Sequence, residues 1–260
     1  MGIEVSRTLG VGGITQNINI FRNKYISFGN DYSDTFESTS PKRYTTEPYI
    51  RKSINNNPKI KNIIKNFNPE IELNMNELRE LLNNHATDTK NITIGITEHL
   101  PFSLKQKVDI TALEKAAYLH DLGKVLIPKE VLNKPGKLDK AETEIMHTHS
   151  ELSYELLKNS NLDNTTLYLI KNHHQNAKKT GYPKVGNDFY ADLNLQILST
   201  ADKFSALTEK RPYKEPKSEK EALTIIYQDV KEGKLHPFVF KALVDFTNNN
   251  NINEITQKTA

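Results

Sequence analysis

Cysteine is absent from the 260 residues. That excludes disulfides and thiol chemistry, and it fits a reducing, cytoplasmic setting. No apolar run is long enough to span a bilayer, and the N-terminus lacks the basic start and apolar core of a signal peptide. The imbalance of charge is small too. A net charge of +3 gives no case for a nucleic-acid polymer as partner. Strand signals are few, and there is no internal repeat. Gly10, Gly12 and Gly13 lack the strand-turn-helix setting of a phosphate loop.

What is present is unevenly spread. Residues 1–70 are rich in Asn, Ser, Thr and Lys and poor in Leu and Val, which predicts a mobile or weakly folded N-terminal arm. Residues 71–260 carry Leu, Ile and Ala at helical spacing and are expected to form the folded domain. Leu78, Leu81, Leu82, His85, Ile92 and Ile96 fall on one face of a long helix running to about His99. Ile110 to His120 outlines a second helix, broken by Gly123 and Ile127-Pro128. Asp139 with Glu142, and Ser218 with Glu221, carry capping-box spacing. Leu167 and Ile170 lead a helix into His173, and Leu193 to Asp202 outlines another. Pro237 sits at a tolerated first helical position, with His236 as its N-cap. The expected fold class is all-α, a helical bundle.

Of the eight histidines, His85, His120, His149, His173 and His174 lie on or at the ends of apolar helix faces. Asp121 adjoins His120, and Asp202 lies on the apolar side of its helix. One such histidine is usually a hydrogen-bonded core residue. Five histidines and two aspartates aimed at one core would cost several kcal/mol each if unpaired, and a metal removes that cost. Neutral imidazole and carboxylate suit Mn, Fe, Zn or Ni better than Ca or Mg. His99, His147 and His236 fall outside the pattern.

His120-Asp121-Leu122-Gly123-Lys124 resembles the HD-x-GK signature of HD-domain phosphohydrolases. Together with His149, His173-His174, Gly181-Tyr182-Pro183, Ala201-Asp202 and Arg211-Pro212-Tyr213-Lys214, it resembles the HD-GYP subfamily over roughly Glu77 to Thr247. That subfamily comprises bacterial phosphodiesterases of cyclic di-GMP. The resemblance implies an HD-domain helical bundle with two divalent transition metals, iron or manganese. His85, His120, Asp121 and Asp202 would hold one metal, and His149, His173 and His174 the other, with Asp121 bridging. Asp121 and Lys124 would be catalytic. Lys124, Arg211, Lys214 and Tyr182 would bind substrate, a cyclic dinucleotide. The GYP loop or the N-terminal arm could also meet a protein partner.

The sequence departs from the subfamily in several places. Leu81 stands where some members have a third-metal Glu, so two metals are expected. In the loop "HHQNAKKTGYP", Gln175 replaces Glu and Lys178-Lys179 replace Asp-Gly; Ser205 replaces an Asp. These changes leave an alternative reading: a degenerate module that binds metal and nucleotide, or a protein partner, with little turnover.

Overall fold

Hydrogen-bonding side chains set most of the helix starts. Asp109, Asp163 and Asp192 each accept the N–H three residues on. The two capping boxes expected at Asp139/Glu142 and Ser218/Glu221 are both formed. At His236, Nδ1 accepts the Phe238 N–H, so it caps as expected. The structure, a computed structural model, describes residues 40–210 and 215–258, with side chains as far as residue 248.

Among the described residues there are helices and no strands. We label the α-helices α1 (Glu47–Asn56), α2 (Pro58–Ile64), α3 (Met75–Asn83), α4 (His85–His99), α5 (Phe102–Lys105), α6 (Ile110–Leu119), α7 (Lys129–Leu132), α8 (Lys140–Leu157), α9 (Asn164–Asn172), α10 (Leu193–Thr208), α11 (Glu219–Lys231) and α12 (Pro237–Lys258). Two 3-10 turns, Pro41–Thr45 and Leu122–Leu126, complete the set. Helix α4 is central and packs on α6, α10 and α12, while α8 lies against the Leu122–Leu126 turn and α9. None of these helices is long and apolar enough to cross a membrane.

Two expectations need correction. The long helix through Leu78 and His99 is two helices, broken at Asn84, whose backbone leaves the helical region. Thr87 Oγ1 donates to the Leu82 carbonyl at 2.8 Å and so satisfies an acceptor freed by the break. The break makes His85 the first residue of α4.

The second correction concerns the arm. Of residues 1–70, those up to 39 lie outside the described residues. Residues 41–70, by contrast, are folded. Tyr44, Ile50, Ile54, Ile60 and Ile64 are buried, the isoleucines in i, i+4 pairs that give each short helix one apolar stripe. The abundant asparagines here serve as clamps. Asn57 Nδ2 donates to the Glu155 carbonyl at 3.0 Å and to its side chain at 2.7 Å. Asn68 Nδ2 donates to the Leu126 carbonyl at 3.0 Å, and Asn74 donates from its backbone to Val125 and from its side chain to Ile127. Lys59 and Lys158 close on the buried Glu155 carboxylate at 3.0 and 2.7 Å.

Ile60→Ala should therefore destabilise the protein by about 2–4 kcal/mol in denaturant unfolding, since it opens a cavity at a fully buried site. A tryptic core should retain Pro41 to Asn68. The Glu155 carboxylate is held below its usual pKa: burial acts to raise it, but Lys158, Asn57 and Lys59 outweigh that. A depressed folded-state pKa means the stabilisation is complete above the ordinary carboxylate range and is lost as pH falls below it. Protection of Lys59 and Lys61 from cleavage should weaken on acidification and should be insensitive to pH between neutral and mildly basic. Rapid loss of the segment 41–68 at neutral pH would contradict this packing.

Candidate metal centre

Four helix ends and two helix interiors supply the polar core. His120 caps α6 and Asp121 opens the 3-10 turn behind it. That turn approaches α8 closely. A Cβ on Gly123 would lie 2.2 Å from the His149 carbonyl, and the Gly123 N–H donates to Ser153 Oγ at 2.7 Å. Glycine is thus required for Asp121 to reach the side of α8 that bears His149. His173 caps α9 and His174 follows it, while Asp202 projects from α10.

These residues form two groups of inward donors. One is His85, His120 and Asp202; the other is Asp121, His149, His173 and His174. Within each group the donor atoms lie within 4.8 Å of one another. Asp121 faces both. Its Oδ2 is 3.3 Å from His120 Nε2 and 3.7 Å from His85 Nε2, and its Oδ1 is 3.2 Å from His149 Nε2. Asp202 spans them too, with Oδ1 2.9 Å from His85 Nε2 and Oδ2 3.7 Å from His174 Nδ1.

The tautomers follow from the backbone. His120, His149 and His173 each place Nδ1 2.7–2.8 Å from the carbonyl three residues earlier, at Ala117, Met146 and Ile170. A carbonyl only accepts, so Nδ1 carries the proton and, in the neutral ring, Nε2 points a lone pair inward. Yet His149 Nε2 lies 3.2 Å from His173 Nε2 and 3.1 Å from His174 Nε2. The buried His120 Nε2 and Asp121 Oδ1 have no hydrogen-bond partner, although His149 Nε2 stands near that oxygen. Lone pairs converging on lone pairs lack a positive charge between them. A divalent cation supplies one, with each Nδ1–H bond fixing the orientation of its ring.

Burial and neighbouring charge act on the other donors in the same sense. Burial acts to raise Asp121, but Lys124, at 2.6 Å, and His120 hold it well below the usual carboxylate range. Asp202 is likewise held down against burial by His120 and His85. Burial and the surrounding histidines keep His173 well below the ordinary imidazole value; burial is the main cause that takes His174 down to about 3. Burial opposes a proton on His120, yet Asp121 and Asp202 outweigh it and push its pKa up to about 10. That upward push comes from the two carboxylates, and a cation held by Asp121 and Asp202 would remove it and leave His120 neutral. Ionised carboxylates and neutral imidazoles are the forms that ligate metal. The residues present therefore fit a divalent metal.

The HD domain family matches residues 75–238. The chain belongs to the HD domain family. It is 34% identical over 153 residues to 3'3'-cGAMP-specific phosphodiesterase 1 of Vibrio cholerae, covering 57% of this chain and 35% of that one. It is also 34% identical over 177 residues to a cyclic di-GMP phosphodiesterase of Thermotoga maritima, covering 66% of this chain and 47% of the relative. The chain thus spans less than half the length of these curated relatives. Bd1817, an HDG"Y"P protein from Bdellovibrio bacteriovorus, has the same fold, with a TM-score of 0.54, 14% identity and coverage of 90% and 77%.

All seven histidines and aspartates expected at the centre of this HD domain are brought together. Lys124 reaches Asp121, and Tyr182 lies over His174 with ring centroids 4.4 Å apart. Arg211 and Lys214 lie outside the described residues. Leu81 is partly buried and packs against the apolar core. Sequence reading missed three contributors. Ser205, one turn after Asp202, places Oγ 3.0 Å from His85 Nδ1 and steadies that ring; its register on α10 was the available signal. Gln175 is 2% exposed and hydrogen-bonds within the loop. His147 stacks on Tyr182, a contact no spacing rule announces.

Gly123→Ala should cost about 1–3 kcal/mol in thermal or denaturant unfolding of the metal-free protein, because the added methyl meets backbone on α8. Wild-type stability in that variant would mean that the turn does not press against the helix.

Proposed function

We propose that the chain is a metal-dependent phosphodiesterase that hydrolyses a cyclic dinucleotide, with cyclic di-GMP or 3'3'-cGAMP as substrate. The observation that carries this reading is the pair of buried donor groups sharing Asp121. The relatives' names give the substrate class. His85, His120 and Asp202 would hold one ion, and His149, His173 and His174 the other, with Asp121 as the shared ligand. Iron or manganese suits this mix of imidazole and carboxylate.

When bound, the metals would supply Lewis acidity toward a phosphate oxygen and lower the pKa of water. The chain's own groups supply the rest. The Asp121 carboxylate, with one oxygen aimed at each group, fixes the spacing between them. Lys124 Nζ stands against Asp121 and would meet a phosphate oxygen there as negative charge builds on it. Arg211 and Lys214 occupy the sequence positions at which the resemblance expects further phosphate contacts. Tyr182 shields His174 from bulk water on one side. Attack of water on phosphorus and cleavage of one P–O ester bond opens the ring to a linear dinucleotide.

The departures at Gln175, Lys178, Lys179 and Ser205 remove no donor from either group. The module with little turnover therefore draws no support from the centre itself.

Elemental analysis of the anaerobically purified protein should find about two transition metals per chain. Incubation with cyclic di-GMP, 3'3'-cGAMP and cyclic di-AMP should yield a linear product from at least one of them. Asp121→Ala should lose metal and lower turnover more than about 100-fold, the upper range for losing a group that only orients a ligand. Full metal content and nucleotide binding with no hydrolysis of any of the three would overturn the enzyme reading.

A further inference from the structure

The loop joining α9 to α10 departs most from the resembling subfamily, and its side chains bond back to its own backbone. Gln175 uses both ends of its buried amide. Nε2 donates to the Pro183 carbonyl at 2.6 Å, and Oε1 accepts the N–H groups of Gly181 at 3.2 Å and Asn176 at 3.3 Å. A carboxylate at this position could accept the two N–H groups but could not donate to Pro183, and its charge would face that carbonyl oxygen. Asn176 ties down the loop tip. Its Oδ1 accepts the Lys178 N–H at 2.9 Å, and its Nδ2 donates to Thr180 Oγ1 at 3.0 Å. A Cβ on Gly181 would lie 1.9 Å from the His174 carbonyl, so the loop is seated directly on the chain that carries the metal-facing histidines. Lys179 holds φ at +60°, a left-handed conformation that costs a non-glycine residue free energy and persists only where its surroundings enforce it.

The outer face of Tyr182 is covered by a histidine that belongs to neither donor group. The exposed His147 ring stacks on Tyr182 with centroids 3.7 Å apart and planes 14° apart, while the tyrosine tilts against His174 at 4.4 Å. Tyr182 is thus held between two imidazoles, one facing the donor groups and one facing solvent.

We propose that Gln175 and His147 form a two-point clasp that holds the loop from residue 175 to 183 against the second histidine group and positions Tyr182 beside the entering substrate. Gln175 fixes the loop ends through an amide that an ionised carboxylate cannot replace, and His147 fixes the tyrosine ring by flat contact. Both are positioning residues: neither lies in a donor group, and each acts through Tyr182. The role assigned to Tyr182 toward substrate rests on the phosphodiesterase reading; the clasp itself does not.

The loop carries its own reporter, the exposed pair Lys178-Lys179. Trypsin cleavage there, followed by mass spectrometry on the metal-loaded protein without nucleotide, measures how often the loop opens. Gln175→Glu should speed cleavage about tenfold, as expected for loss of one buried hydrogen bond with its donor. His147→Ala should speed it by several-fold, and His147→Phe, which keeps a flat ring, should return it to the wild-type rate. Metal content should stay unchanged in the His147 variants. With cyclic di-GMP, His147→Ala should raise KM about fivefold while leaving kcat within about twofold, the pattern of lost substrate positioning. Should Gln175→Glu fail to fold, the His147→Ala and His147→Phe pair decides alone. Cleavage at the wild-type rate in His147→Ala, or His147→Phe behaving like His147→Ala, would overturn the clasp. A protein that shows the cleavage pattern but hydrolyses no cyclic dinucleotide would keep the clasp and lose the phosphodiesterase reading.

Discussion

The Asp121 carboxylate is the constraint on which the rest of the structure turns. It is 1% exposed, and its two oxygens face different sets of imidazole nitrogens. An ionised carboxylate so deeply buried is tolerated only if positive charge meets it. Lys124 meets part of that need, while Oδ1 has no hydrogen-bond partner. A centre of this kind is a scaffold for cations, because its electrostatics are incomplete without them.

The surrounding fold is arranged to hold that carboxylate still. Gly123 lets the 3-10 turn press against α8, and Ser153 accepts its N–H. From the other side, Asn68 and Asn74 grip the carbonyls of residues 125–127 that follow the same turn. Helices α1 and α2 also lean on α8 through Asn57, Lys59 and Glu155. Helix α8 therefore carries His149 to the centre and anchors the N-terminal helices further along its length. Residues 41–72 brace the site, although among the described residues they contribute no donor to it.

The loop at residues 175–183 shows how a chain can leave a family's sequence pattern while keeping a closed geometry. Gln175 makes bonds that suit an amide, and Lys179 adopts a backbone conformation that glycine would take more easily. Ser205, likewise a departure, still offers His85 Nδ1 a hydroxyl that can donate or accept. The replacements fall on groups that orient donors or shape the loop, and the donors themselves are untouched.

Much of this was legible from the sequence, because the relevant physics is local. Capping residues, helical periodicity and the histidines on apolar faces each follow from spacings of a few residues, and they gave the all-α class and the seven central side chains. The short stretch around Asn84 misled, since an uninterrupted apolar stripe does not reveal a backbone break stabilised by Thr87. Average composition misled at residues 41–70, where four isoleucines spaced to face one way outweigh a polar majority and asparagines pair with distant carbonyls. The sequence by itself determined which residues could be donors and which helices would bear them. The resemblance already implied that Asp121 is shared; only the tertiary structure decided that its two oxygens turn to different groups, that Asp202 also spans both, and that His147 closes over Tyr182. Those are contacts between helices far apart in the chain, and their geometry depends on how closely the backbones approach.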